Sequence, residues 1–79
     1  MEGYYRLITD AWRFFRKYAG QIPMPDVAWG REVAEAILFV EDHHDQGRLA
    51  RKLIAVIEDE LEQLDREAKR EQKRGSGTP

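Results

Sequence analysis

Apolar residues recur at helical spacing through most of the chain, and they are densest near its start. In YYRLITDAWRFFRKYA, residues 4–19, one stripe is formed by Tyr4, Ile8, Ala11, Phe15 and Tyr18. Tyr5, Leu7, Trp12, Phe14 and Ala19 widen it until only a strip around Arg6, Asp10, Arg13 and Lys17 stays polar. This stretch holds six of the eight aromatic residues. Aromatic side chains bury so much area that the helix calls for neighbours on two sides, or for a second protein on one of them. Helix 1 is therefore the expected energetic centre, with Ile8, Trp12 and Phe15 inward. Tyr4, Tyr5, Leu7, Phe14 and Tyr18 cannot all point inward with them, so part of that set is expected at a contact surface.

Gly20 and the prolines Pro23 and Pro25 end this helix, because two prolines spaced by one residue push their predecessors toward extended backbone. Helix 2 then begins at Asp26, as an N-cap or just after Pro25 as the first helical residue, and is expected to run to about Gln46. Its inward face reads Trp29, Val33, Ala36, Ile37, Val40 and His44, with Glu32, Glu35 and Glu41 outward and Phe39 off the stripe. Trp29 is expected to pack on helix 1 and fix the entry angle of the chain, and Gly30 to let the helix 1 aromatics approach closely. Gly47 is the expected stop of helix 2, and Asp45 a cap for the next helix. Helix 3 opens at Arg48 with a seam of Ala50, Leu53, Ile57, Leu61, Leu64 and Ala68, joined by Leu49, Ile54 and Val56. Beyond Leu64 the sequence forms helix well, with an Asp65 to Lys69 pair at i,i+4, but has little to bury. Gly75, Ser76, Gly77, Thr78 and Pro79 have linker composition.

The pattern thus predicts an all-α fold: a small three-helix bundle with a long C-terminal helix overhanging the core. Residues 1–74 form the single domain, with helices at about 3–19, 26–46 and 48–73, and 75–79 a flexible tail. At 1.5 Å per residue helix 3 is roughly 39 Å long and helix 1 roughly 24 Å. No segment alternates with period two for long enough to be a strand.

Composition narrows the function classes. The chain has 79 residues and no cysteine, so packing or self-association must hold it, without disulfides or a thiolate metal cage. Charges interrupt every apolar run, which excludes a signal-peptide or membrane-span reading and gives an expectation of a cytoplasmic protein with no membrane partner. The net charge of −2 gives no overall pull toward nucleic acid. Residues 20–46 carry −5 between flanks that are +2 and −1, which suits a bundle choosing its helix order, or an acidic face for a basic partner.

Candidate chemistry is sparse. Glu41 and His44 stand at i,i+3, the spacing of a carboxylate and an imidazole that share a metal, but a di-iron bundle uses two such motifs and two further glutamates, and this chain has one motif. Both histidines of the EDHHDQG turn would equally well face water at a helix C-terminus. No serine, threonine or cysteine is arranged with a base, and no glycine-rich loop precedes a helix, so neither an enzyme nor a cofactor is expected. A helix-turn-helix reading places Arg48, Leu49, Ala50, Arg51 and Lys52 at the start of a recognition helix; the long acidic helix before it, with Glu41, Asp42 and Asp45, opposes contact with phosphate.

Tyr4, Tyr5, Trp12, Phe15 and Tyr18, a helix opening with Trp29, and a last helix containing Leu61 and Glu62 together resemble the short uncharacterised helical proteins encoded in phages, prophages and mobile elements of gut Firmicutes. The resemblance spans residues 4–66. It implies an accessory protein that works by protein contact, with inhibition of a host defence protein as one use, and it transfers no catalytic or ligand residue. The expected contact residues are Tyr4, Tyr5, Phe14, Tyr18, Trp29, Leu61 and Leu64, and the expected partner is a protein, first of all a second copy of the chain. The competing readings are a small DNA-binding module and a metal site at Glu41 and His44.

Overall fold

The computed structural model describes the backbone of residues 2–76 and the side chains of residues 3–72. The fold is a small all-α three-helix bundle: α1 spans Glu2–Ala19, α2 spans Asp26–Asp42 and α3 spans Gly47–Ser76. A single turn of 3-10 helix, His44–Gln46, joins α2 to α3. Helix α2 runs antiparallel to α1, since Asp10 meets His43 and Lys17 meets Glu35. Helix α3 runs parallel to α1, with Gly3 against Gln46 at one end and Met24 against Asp65 at the other.

Local chemistry accounts for the boundaries. The carbonyl of Gly20's partner Arg16 and that of Tyr18 accept the last amides of α1, from Gly20 at 3.1 Å and Gln21 at 3.0 Å, and Arg16 and Lys17 complement the negative end of the helix. Pro25 is the extended residue before α2, and its carbonyl accepts the amides of Ala28 and Trp29 at 2.9 and 3.2 Å. Asp26 is the first helical residue and makes no side-chain cap; its charge suits the helix start.

Several expectations are corrected. Helix α2 stops at Asp42, four residues short of Gln46, where the His43 amide bonds the Phe39 carbonyl. Gly47 does not end α2: it has right-handed helical dihedrals and begins α3. Asp45 makes no cap to α3. Gly75 and Ser76, assigned to the tail, belong to α3, while Gly77, Thr78 and Pro79 lie outside the described residues.

The inward faces also differ from the expected ones. The core is Leu7, Ala11, Phe14 and Tyr18 of α1, Ala28, Ala36 and Phe39 of α2, Ala50, Ile54 and Leu61 of α3, and Met24 from the turn. On α1 the buried arc is centred on Phe14 and Tyr18, so Ile8 and Trp12 face out. On α2 it passes through Ala28, Glu32, Ala36, Phe39 and His43, which turns Val33 and Ile37 outward and His43, not His44, inward. Both helices are apolar over a wide arc, and the alanines decide which part of it faces in. Ala11, Ala28, Ala36 and Ala50 allow close approach of the backbones, while the larger neighbours flank the contact. Gly30 serves no such approach, because nothing lies within 4 Å of where a side chain would start.

Candidate interaction surfaces

A three-helix bundle has three grooves, and here each has a different chemistry. The α1–α2 groove, of about 500 Å³, is lined by Phe14, Leu38 and Phe39 together with charged pairs. Lys17 bonds the Glu35 carboxylate across it, and His43 Nε2 lies 2.9 Å from Asp10 Oδ2, with the His43 ring 4.9 Å from that of Phe39. Burial opposes ionisation of Glu35, but Lys17 and the Tyr18 phenol outweigh it and hold the carboxyl below the usual range. Burial and the facing Glu35 carboxylate push the Tyr18 phenol up to about 12, although its hydroxyl has no partner in hydrogen-bond geometry.

The α1–α3 side is apolar and open. Asp10 and Lys17 mark the flank of α1 turned to α2, so helical phase places Tyr4, Ile8, Trp12 and Phe15 on the flank turned to α3. Likewise Arg51 and Glu58 line the α2 side of α3, which leaves Leu49, Leu53 and Ile57 on the side of α1. Three of these α1 residues are at least half exposed, Tyr4 at 50%, Ile8 at 51% and Trp12 at 55%, with Tyr5 beside them at 76%. The Trp12 and Phe15 rings contact each other at 6.0 Å. Single exposed apolar residues are ordinary, but a run of them at i, i+4 and i+8 along one helix is a contiguous patch.

The third groove, about 320 Å³ between α2 and α3, is lined by Val33, Ala36, Ile37, Val40 and Ile54, with Glu41, Arg51 and Glu58 at its rim. Beside it Glu32 is completely buried, and neither of its carboxylate oxygens has a hydrogen-bond partner. Burial, with the Glu58 and Glu62 carboxylates close by, pushes its carboxyl up to about 8. Glu32 was expected on the outer face of helix 2. Its place in the core arc, one turn before Ala36, is the signal that points to it.

Of the seven expected contact residues, Tyr4 and Tyr5 lie on the open α1 surface, while Phe14, Tyr18 and Leu61 are interior and unavailable to a partner. Leu64 is half-buried. Trp29 is partly buried and packs against the core, and its indole helps to hold the Asp65 carboxyl of α3 below its ordinary value. Sequence periodicity missed Ile8, Trp12 and Val56 as exposed residues, since it carries no sign for inward or outward.

The metal and nucleic-acid candidates are placed as follows. His44 Nδ1 lies 3.3 Å from the Glu41 carbonyl oxygen and its Nε2 3.2 Å from Asp45, so the ring meets the Glu41 backbone and not its carboxylate. Among the described residues no group of three histidine or carboxylate side chains is arranged to hold a metal. Arg48, Arg51 and Lys52 are exposed at the start of α3, but Ala50 is buried, and Arg51 shares the α2–α3 groove with Glu41 and Glu58. Among the described residues no helix is long and apolar enough to cross a membrane. The chain matches no protein-family model, no curated protein and no solved structure.

Proposed function

We propose that this chain works by protein contact, without catalysis, as a small accessory protein of a phage or mobile element, and that its first partner is a second copy of itself. The observation that carries the reading is the run of exposed Tyr4, Ile8 and Trp12 along α1, with Tyr5 beside it. Water against so much aromatic and aliphatic surface is unfavourable by about 25 cal/mol per Å², and a two-fold pairing of α1 with its own copy removes that surface from water on both sides at once. The tyrosines suit such a place, because each has a ring to bury and a hydroxyl to leave wet. The mobile-element setting, and a use in blocking a host defence protein, rest on the resemblance of the sequence alone.

Sedimentation equilibrium across a micromolar concentration series tests the pairing. A dimer is expected for the native chain, and a monomer for Tyr5→Glu and Trp12→Glu, both of which keep the fold because the positions are exposed. A native chain that stays monomeric throughout rejects self-association through α1.

A further inference from the structure

The α2–α3 groove joins an apolar lining to an acidic end, with Arg51, its one basic lining residue, two turns of α3 away from Glu58. Val33, Ile37 and Val40 recur along α2 at i, i+4 and i+7, and Ile54 faces them from α3. At the end nearer the α1–α2 turn, Glu58 lines the groove and is in contact with Glu32, and Glu62 follows one turn along α3. Glu32 is wholly buried with both oxygens unpartnered. Among the described residues none of these three glutamates takes part in an ion pair. A buried carboxyl without a partner in hydrogen-bond geometry is costly enough that its counterpart is to be sought, and Glu58, which lies beside it, lines the groove.

We propose that the α2–α3 groove is the docking site of a basic amphipathic helix from a partner protein, whose apolar face covers Val33, Ile37 and Ile54 and whose arginine or lysine pairs with Glu32, Glu58 and Glu62. Two antiparallel helices with an apolar groove accept a further helix as the fourth member of a bundle. The segment from Val33 to Val40 is two turns, about 10 Å long, which matches two apolar anchors one turn apart on the incoming helix, with the cation one turn beyond them. A guanidinium supplies the donors that both Glu32 oxygens lack, and in a site closed by apolar side chains that pairing is strong. The inference rests on the reading that the chain works by contact, yet it uses a different face from the α1 pairing.

The two are separated by working with the Trp12→Glu variant, which removes the α1 contact. A displayed library of helical peptides, randomised at every face, is selected on that variant and in parallel on the same variant carrying Glu32→Gln or Ile37→Glu. The expected result is enrichment of peptides with an apolar pair one turn apart and a basic residue one turn beyond. Binding of the enriched peptides is expected to weaken at least about tenfold with Glu32→Gln, to vanish with Ile37→Glu, and to fall with added salt. Amide shifts on binding are expected at Val33, Ile37, Ile54 and Glu58. Glu32→Gln is near-isosteric and Ile37 is exposed, so both variants are expected to fold, which circular dichroism checks. The proposal is overturned if no peptide is enriched, if neutral or acidic peptides are enriched, or if Glu32→Gln leaves the affinity unchanged. Self-association that persists in the Trp12→Glu variant and is abolished by adding Ile37→Glu would put a second copy in the groove and equally overturn it.

Discussion

The Asp65 carboxylate accepts the Met24 backbone N–H at 2.7 Å, across 41 positions of sequence, and so ties the α1–α2 turn to the far part of α3. Asp65 is itself buried, and its second oxygen takes Lys69 Nζ at 2.7 Å. Burial works against the charge, but Lys69, the Met24 amide and the Trp29 indole outweigh it and hold the carboxyl below its ordinary value.

Removing this tie exposes its energetic share. Asp65→Ala leaves the buried Met24 amide without an acceptor and should cost about 2–3 kcal/mol in urea unfolding near neutral pH. Lys69→Ala removes a half-exposed partner and should cost less than about 1 kcal/mol. Because the folded-state value of Asp65 is lowered, its contribution is present above the unfolded value of 3.8 and is lost as pH falls through the folded one. Equal effects of Asp65→Ala at neutral pH and below that range would contradict this assignment.

On α1 the order of importance follows burial, not aromatic size. Phe14 is packed between Tyr18 and Phe39, with ring centroids 5.3 and 6.3 Å away, so Phe14→Ala should cost about 3–5 kcal/mol and leave a domain this small largely unfolded. Trp12→Ala, at a half-exposed site, should cost about 1 kcal/mol or less measured on the monomer. Thermal melts of the two variants decide it, and a Trp12 effect as large as that of Phe14 would show that the inward arc lies elsewhere.

The elements of the fold were legible in the sequence because Pro23, Pro25 and Asp26 punctuate it and because each helix carries a 3.6-residue apolar repeat. What the repeat could not supply was phase. On α1 the apolar arc is wide enough to hold two faces, one packed and one open, and on α2 the packed arc includes Glu32 and His43, whose polar character disguises it. Phe39 fell off the expected stripe for that reason, although it is central. The buried pairs His43 with Asp10 and Asp65 with Met24 join residues distant in sequence, and spacing along one helix carries no trace of them. The open α1 face was anticipated from an excess of apolar residues, but its members were exchanged: Trp12 and Ile8 lie outside, Phe14 and Tyr18 inside.

His43 and Asp10 should behave as one unit. The His43 side chain is only 5% exposed, and the 2.9 Å contact from its Nε2 to Asp10 Oδ2 is its tie to α1. Either His43→Ala or Asp10→Ala should destabilise the fold by about 1–3 kcal/mol: Asp10→Ala leaves the buried His43 ring without its partner, and His43→Ala opens a gap in the core and leaves Asp10 only the longer contact to Arg6 at 3.8 Å. The double variant should cost less than the two together, with a coupling of about 0.5–2 kcal/mol from chemical denaturation. Strict additivity would mean that the contact contributes nothing of its own.

Glu32 should give the protein a dependence on pH opposite in sign to that of Asp65. Its carboxyl is raised from 4.5 to about 8 in the folded chain, chiefly by burial and then by Glu58 and Glu62. The folded state therefore holds a proton that the unfolded state releases, and stability from this site is complete below about 4.5, falls as pH rises, and is gone above about 8. The limiting slope for one group is about 1.4 kcal/mol per pH unit. Asp65 and Glu35, with lowered values, act only at the acid end, so the two effects occupy separate windows. Glu32→Gln keeps the shape, has no proton to release, and should remove the slope, being close to the native chain in stability near the acid edge of the window and clearly more stable at its alkaline edge. The difference between native and variant stabilities, measured by urea unfolding across the window, cancels whatever pH dependence the two chains share. A flat difference would show that Glu32 is ionised in the folded chain throughout, and would require a donor for its carboxylate within the bundle itself.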